Sequence, residues 1–207
     1  MEIFLACVQS GEALDNTTRF VQAIYQEVYG TYPKPLAWYL TARNASGELV
    51  GALGLQFGRD QVLPVHQLYH IPDSSFPEGY DALQTVYYSR FTSTVNASSA
   101  VSMLWMYSAT CYALHHQYRF GLGILKVSVF RHLKSKGVIY RRLVEAELVI
   151  DRVAPEDWQY FIRPDIGVYI IELQEKRQAL AEYLAGMNCV PIVARDSVLF
   201  NSLQWNK

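Results

Sequence analysis

Residues 91–118 contain no Asp, Glu, Lys or Arg, and this uncharged run limits the fold more than any other feature of the chain. Its apolar part, about 100–114, is broken by Ser102, Ser108 and Thr110. A membrane-spanning helix needs about 20 mostly apolar residues. The run is therefore read as a helix buried at the centre of a globular protein, and no integral membrane segment is expected. Ser98 or Ser99 supplies an N-cap, and the helix runs to about Tyr118. Phe120-Gly121-Leu122-Gly123 breaks it.

The chain has 207 residues, 51% hydrophobic and 18% charged. That is enough apolar material for one good-sized core, and it excludes disorder, collagen and coiled coil. No repeat or linker divides the sequence, so 1–207 is expected to be a single domain.

The other elements follow from periodicity and turn residues. Residues 2–8 read as a strand. Asp15 to Thr17 starts a helix, in which Phe20, Val21, Ile24, Tyr25, Val28 and Tyr29 recur as adjacent pairs every four residues. Gly30 stops it, and Pro33 and Pro35 prevent its continuation. Leu36–Ala42 and Leu49–Phe57 form a hairpin around Asn44-Ala45-Ser46-Gly47. Leu63–Tyr69 is expected to be extended. Residues 84–94 form a strand, with Tyr87, Ser89 and Phe91 on one face and Val86, Tyr88 and Arg90 on the other. After the long helix come a strand over Ile124–Val129, a short helix over Phe130–Lys136 stopped by Gly137, and a largely extended Val138–Ile150. An aromatic loop (Pro155–Pro164), a strand (Val168–Leu173), a helix (Glu175–Ala185) and a short extended tail complete the order. Helices do not alternate regularly with strands. The fold class is α+β rather than a Rossmann or barrel fold.

Charge is distributed unevenly. Between Asp81 and Glu145 there is no acid, but there are Arg90, Arg119, Lys126, Arg131, Lys134, Lys136, Arg141 and Arg142. The formal net charge of −1 therefore conceals a basic middle inside an acidic protein, which points to an anionic partner or ligand. Nucleic acid is not favoured, since the chain as a whole is not basic. Cys7, Cys111 and Cys189 form no CxxC, zinc spacing or disulfide framework, which is simplest in a reducing, cytoplasmic compartment. MEIFLACVQSG lacks the basic start and the apolar length of a signal peptide. GxSxG, HExxH, the P-loop and the dinucleotide fingerprint are absent. No metal site is expected: His66 and His70 lie in a proline-flanked extended stretch, and His115 and His116 face different ways on a helix.

The order of elements resembles the GNAT N-acyltransferase superfamily, most closely over 122–143, a strand, the short helix FRHLKSKG and a further strand. Tyr88-Ser89-Arg90-Phe91 resembles the Glu-x-Ser-Arg-Phe motif on the fourth strand of acyl-homoserine-lactone (autoinducer) synthases and long-chain N-acyl amino acid synthases, with Tyr87 where the glutamate would be. Leu63-Pro64-Val65-His66 resembles a Leu-Pro-x-Glu run of related acyltransferases, with His66 in place of the glutamate. The helix with Arg19, Tyr25, Tyr29 and Gly30 is similar to the first helix of these relatives. The thermostable-hemolysin family is similar across most of the chain, including the Asp157-Trp158 loop.

The resemblance implies a GNAT-like mixed central sheet with a long helix after the fourth strand. It also implies N-acyl transfer to the α-amine of an amino acid, tyrosine among the candidates. An interrupted fourth strand, here Phe91, Thr92, Ser93 and Thr94, would hold the pantetheine arm and thioester carbonyl. GNAT proteins that use coenzyme A usually carry a glycine-rich pyrophosphate loop before the long helix. Here 94–99 reads Thr-Val-Asn-Ala-Ser-Ser, so the expected donor is the 4'-phosphopantetheine of an acyl carrier protein carrying a fatty acyl chain, with coenzyme A as the alternative. Lys126, Arg131, Lys134, Lys136, Arg141 and Arg142 are candidates for docking the acidic carrier, or are ordinary solvated charges.

The candidate catalytic residues are His66, Tyr87, Ser89 and Arg90. His66 is either the general base or a loop histidine without a role. Tyr87 either donates to the oxyanion or packs. Arg90 either binds a carboxylate or pairs with an acid of another strand. Trp105 is either core or part of an acyl-chain channel. An S-adenosylmethionine-using homoserine-lactone synthase, a coenzyme-A-dependent acetyltransferase, a membrane-active hemolysin-like protein and a non-catalytic acyl-binding GNAT fold are the rival readings.

Overall fold

The computed structural model describes residues 3–94, 99–186 and 192–193. Sixteen helices and strands follow one another along these residues. They are β1 (Ile3–Val8), α1 (Gly11–Tyr29), β2 (Tyr39–Asn44), β3 (Leu49–Phe57), α2 (Pro64–Leu68), β4 (Tyr69–His70), β5 (Thr85–Ser93) and α3 (Ser99–His115). Then come β6 (Phe120–Lys126), α4 (Val127–Lys134), β7 (Arg141–Arg142), β8 (Glu147–Leu148), α5 (Trp158–Phe161), β9 (Ile166–Glu172), α6 (Leu173–Ala185) and β10 (Ile192–Val193). Eight strands make one mixed sheet in the order β10-β1-β2-β3-β5-β6-β9-β7, and β4 pairs with β8 beside it. This is the α+β architecture the sequence implies, with the long helix following the fourth full strand of the sheet.

The alternation of side chains sorts the core onto two faces. On one, Leu53, Leu55, Phe57, Val86 and Tyr88 pack under Leu104, Trp105 and Ala109 of α3. Tyr169 and Ile171 continue that face beneath α4 and α6. On the other, Tyr39 and Ala52 meet Val21 of α1. Tyr87, Leu122, Ile124 and Val168 meet Leu63, Val65 and Tyr69 there. Met103, Leu104, Trp105, Met106, Ala109 and Ala113 of α3 are buried. Among the described residues no helix is long and apolar enough to cross a membrane.

Four expectations are corrected. Leu63–Tyr69 is mostly helical, because Pro64 has the φ that suits the first turn of a helix and donates no hydrogen bond that the turn needs. The strand expected over Ile124–Val129 instead spans Phe120–Lys126, so that α4 begins three residues earlier than expected. The segment 138–150 keeps only the two-residue strands β7 and β8, because it turns off the sheet edge where the Ala146 N–H bonds Leu143 O at 3.2 Å. Finally, α3 stops at His115. Gln117 takes φ 61, and the Tyr118 N–H reaches back to Ala113 O at 2.9 Å. That is a Schellman end built without glycine. The expected residues Ser98 and most of the closing tail lie outside the described residues.

Candidate active site

β5 and β6 run parallel only from Thr85↔Phe120 to Tyr88↔Gly123. Beyond that they part, β5 staying with β3 and β6 staying with β9. The departure coincides with a bulge. Gly54 faces Ser89 and Ala52 faces Thr92, so two steps on β3 span three on β5. The extra residue falls at Arg90, whose φ of 49 lies in the left-handed region. Such a conformation costs a non-glycine residue on the order of 1 kcal/mol or more. It bends the strand, and it ends the regular alternation expected for 84–94 at Ser89. The gap leaves strand-edge backbone groups unused by a ladder.

Two cavities open on this gap. One, of about 310 Å³, lies towards α3 and α4 and includes Phe91, Met103, Met106, Lys126 and Leu133 in its walls. The other, of about 280 Å³, lies on the α1 side, with Lys34, Gln56, Tyr87, Arg152 and Phe161 in its walls. They share Tyr25, Ser89, Arg90, Ile124 and Tyr160. The wall between the two cavities is thus made by the bulge on one side and a tyrosine cluster on the other. In that cluster the Tyr29 ring lies 4.9 Å from Tyr25 and 5.5 Å from Tyr160.

The structure brings together some of the expected residues. Ser89 and Arg90 line both cavities, and Ser89 Oγ is buried without a partner among the described residues. Arg90 Nη1 donates to the Tyr39 hydroxyl at 3.5 Å. Among the described residues no carboxylate pairs with Arg90, contrary to the reading of a strand-to-strand ion pair. Tyr87 lines the α1-side cavity, and burial first, then the neighbouring Tyr160, keeps its hydroxyl protonated well above its ordinary range. Phe91 lines the α3-side cavity. Thr92 is buried, its hydroxyl donating to Ala52 O at 3.3 Å, while Ser93 and Thr94 line neither cavity.

Other expected residues stand apart. Pro64, Gln67 and Leu68 form part of the α1-side wall. On a helical turn that places His66 on the opposite side of α2. There His66 Nε2 is 2.8 Å from the Tyr80 hydroxyl, and burial lowers its pKa. Trp105 is fully enclosed and lines neither cavity. Its ring lies against Gly51, where a Cβ would stand 1.7 Å from its nearest carbon, and Phe91 meets it edge-on at 5.6 Å. The indole therefore supports the wall from behind.

The basic residues divide. Lys126 lines the α3-side cavity and lies 4.2 Å over the Tyr29 ring, its pKa lowered by burial and then by Arg163. Arg131 and Lys134 project from α4 and are exposed, and Lys136, just past its end, lies 5.1 Å over Tyr183. Arg142 pairs with Tyr169, which stacks on Phe130 of α4 at 4.8 Å, so it shares the α4 face. Arg141 pairs with Ile170 and points the other way, donating to Ser75 O at 2.7 Å. The 94–99 segment lies mostly outside the described residues.

Sequence reasoning did not assign Tyr160 or Gln56 to the site. It read Tyr25 as one of a helix's apolar pairs, a pattern that does not distinguish a core residue from a cavity wall.

No family model and no curated protein matches this sequence; the likeness is structural. A CoA-dependent acyl-homoserine lactone synthase, MesI, superposes with a TM-score of 0.56 and 16% identity, over 93% of this chain and 99% of that one. BjaI, a CoA-dependent acyl-homoserine lactone synthase solved with SAM and isopentyl-CoA, gives 0.58 and 13%, over 97% of each. A protein assigned as an N-acetyltransferase, from Lactobacillus plantarum, gives 0.53 and 10%, over 84% and 99%. The chain has the GNAT-type acyltransferase fold. Within it, the architecture is shared with the autoinducer synthases over nearly its whole length.

Proposed function

We propose that the protein is an N-acyltransferase that moves a fatty acyl group from a thioester to the α-amine of an amino acid. The observation that supports this reading is the pair of cavities that share Ser89 and Arg90 in their walls where the β5/β6 ladder ends. A thioester enters from the α3 and α4 side, with its acyl chain among Phe91, Met103, Met106 and Leu133. The acceptor enters from the α1 side. Its neutral amine attacks the thioester carbon, the C–N bond forms as the C–S bond breaks, and the proton lost by the amine ends on the departing sulfur, which leaves as the thiol. Arg90 and the free strand-edge groups stabilise the oxyanion that develops.

The acceptor's charge follows from the walls of its cavity. Lys34, Arg90 and Arg152 face one carboxylate, Asp157. That balance suits a carboxylate-bearing amino acid better than S-adenosylmethionine, whose sulfonium adds a positive charge. Tyr25, Tyr160 and Phe161 suit an aromatic side chain, so tyrosine is the first acceptor to try. The donor is an acyl carrier protein, whose acidic surface meets the exposed bases around α4. Such thioesters are cytoplasmic, and so is the reading.

The test is incubation with C12–C16 acyl carrier protein or acyl-CoA and a pool of amino acids, read by mass spectrometry. N-acyl amino acids are expected, with the carrier protein the better donor. Absence of any amide product from every combination overturns the enzyme reading in favour of a non-catalytic acyl-binding fold.

A further inference from the structure

Four buried side-chain polar atoms have no hydrogen-bond partner among the described residues: Gln56 Oε1, Ser89 Oγ, Trp105 Nε1 and Lys176 Nζ. Two of these share a place. β3 and β5 pair Gln56 with Tyr87 and Gly54 with Ser89. Gln56 and Ser89 are therefore diagonal neighbours on one face of the sheet, within reach of a common small group. Both line the acceptor cavity. Gly54, opposite Ser89, carries no side chain, and Leu36 fills its place: a Cβ there would stand 2.4 Å from Leu36 Cδ1 and 3.1 Å from Ser89 Oγ. Gln56 also borders a larger groove of about 630 Å³, but Ser89 does not. Orphaned buried polar atoms cost stability, and native proteins carry few of them. Two such atoms stand on neighbouring residues of one cavity wall, where a bound group would supply the missing partner.

We propose that Gln56 and Ser89 form the seat of the acceptor's nitrogen and make the protein selective for a primary amine. The inference rests on the acyl-transfer reading above. A neutral primary amine has two N–H donors and one lone pair. Gln56 Oε1 and Ser89 Oγ accept one donor each, which leaves the lone pair directed at the thioester carbonyl. A 2-hydroxy acid or an N-methylamino acid brings only one such donor. One buried oxygen then stays unpaired, and a site built on hydrogen bonds rejects such an analogue far more strongly than an apolar pocket rejects a change of size.

The experiment compares an amino acid, its N-methyl form and the matching 2-hydroxy acid as acceptors. It uses wild type, Gln56→Leu, Gln56→Glu and Ser89→Ala. Wild type is expected to favour the primary amine by about 100-fold or more in kcat/KM. Gln56→Leu should raise the acceptor KM, leave the donor KM in place and bring that preference within about tenfold. Gln56→Glu keeps an oxygen at the same position and should restore the preference. If Gln56→Leu does not fold, Ser89→Ala, which removes a single oxygen, reads the same ratio. A preference unchanged in the variants overturns the seat while leaving acyl transfer standing. A wild-type protein that forms no amide overturns acyl transfer, and the seat with it.

Discussion

The side-chain nitrogen of Lys176 lies 3.3 Å from the centre of the Tyr88 ring, with Tyr140 at 5.6 Å. The residue is 0% exposed and has no hydrogen-bond acceptor among the described residues. Ring faces attract an ammonium, but they do not replace the water it has lost. Burial holds the Lys176 pKa well below its ordinary value. The unfolded chain thus binds a proton that the native state does not, over the window between that depressed pKa and the ordinary lysine value of about 10.4. Stability is lowest at the bottom of this window and rises with pH across it. Lys176→Met, of similar reach, should raise stability at pH 7 by about 1–3 kcal/mol and flatten its rise towards pH 10. Chemical denaturation at several pH values measures both. An unchanged slope would show that Lys176 is solvated in the native state.

Arg90 poses the opposite trade. Its φ of 49 is one that glycine adopts freely. Arg90→Gly should therefore leave the melting temperature equal or higher, removing strain of about 1 kcal/mol, while acyl transfer falls by about 100-fold or more. Arg90→Lys should keep the strain and lose much of the activity, since one ammonium does not reproduce the guanidinium fork. Loss of stability in Arg90→Gly would mean that the bulge is held by the side chain rather than imposed on it.

For His66 a structural role is expected. Its ring nitrogen is paired with the Tyr80 hydroxyl, and burial lifts that phenol to about 12. His66→Ala should cost about 1 kcal/mol of stability and leave kcat and the pH profile of acyl transfer unchanged. A shifted pH profile with unchanged stability would return His66 to the chemistry.

What could be read from the sequence follows from how local each signal is. The strand and helix order around the uncharged run was legible because burial writes a period into the sequence. Ser89 and Arg90, which the motif singles out, both line the two cavities beside the gap. The bulge was not legible, because nothing in Tyr-Tyr-Ser-Arg-Phe announces a left-handed arginine; the register with Gly54 and Ala52 across the strand produces it. The position of His66, away from both cavities, is hidden in the sequence for a related reason. An extended segment and a helical turn starting at Pro64 send the same side chain in different directions. Gln56 was silent: its importance lies in an unpaired oxygen, which exists only once the chain is folded.

The basic middle of the chain makes the last prediction, and the sheet divides it. Arg142 shares the α4 face with Arg131 and Lys134 because its strand partner Tyr169 packs on Phe130, whereas Arg141 is turned to the opposite face. A carrier protein docked beside α4 meets the first three and not the fourth. Combined reversal as Arg131→Glu, Lys134→Glu and Arg142→Glu should raise the KM for acyl carrier protein by about tenfold or more, most strongly at low salt, with little change in kcat. Arg141→Glu alone should leave that KM within about twofold of wild type. With acyl-CoA as donor, the triple variant should keep its KM within a few-fold, because the small donor needs only the cavity mouth at Lys126. Equal losses with both donors would place these charges at the coenzyme rather than on a docking face.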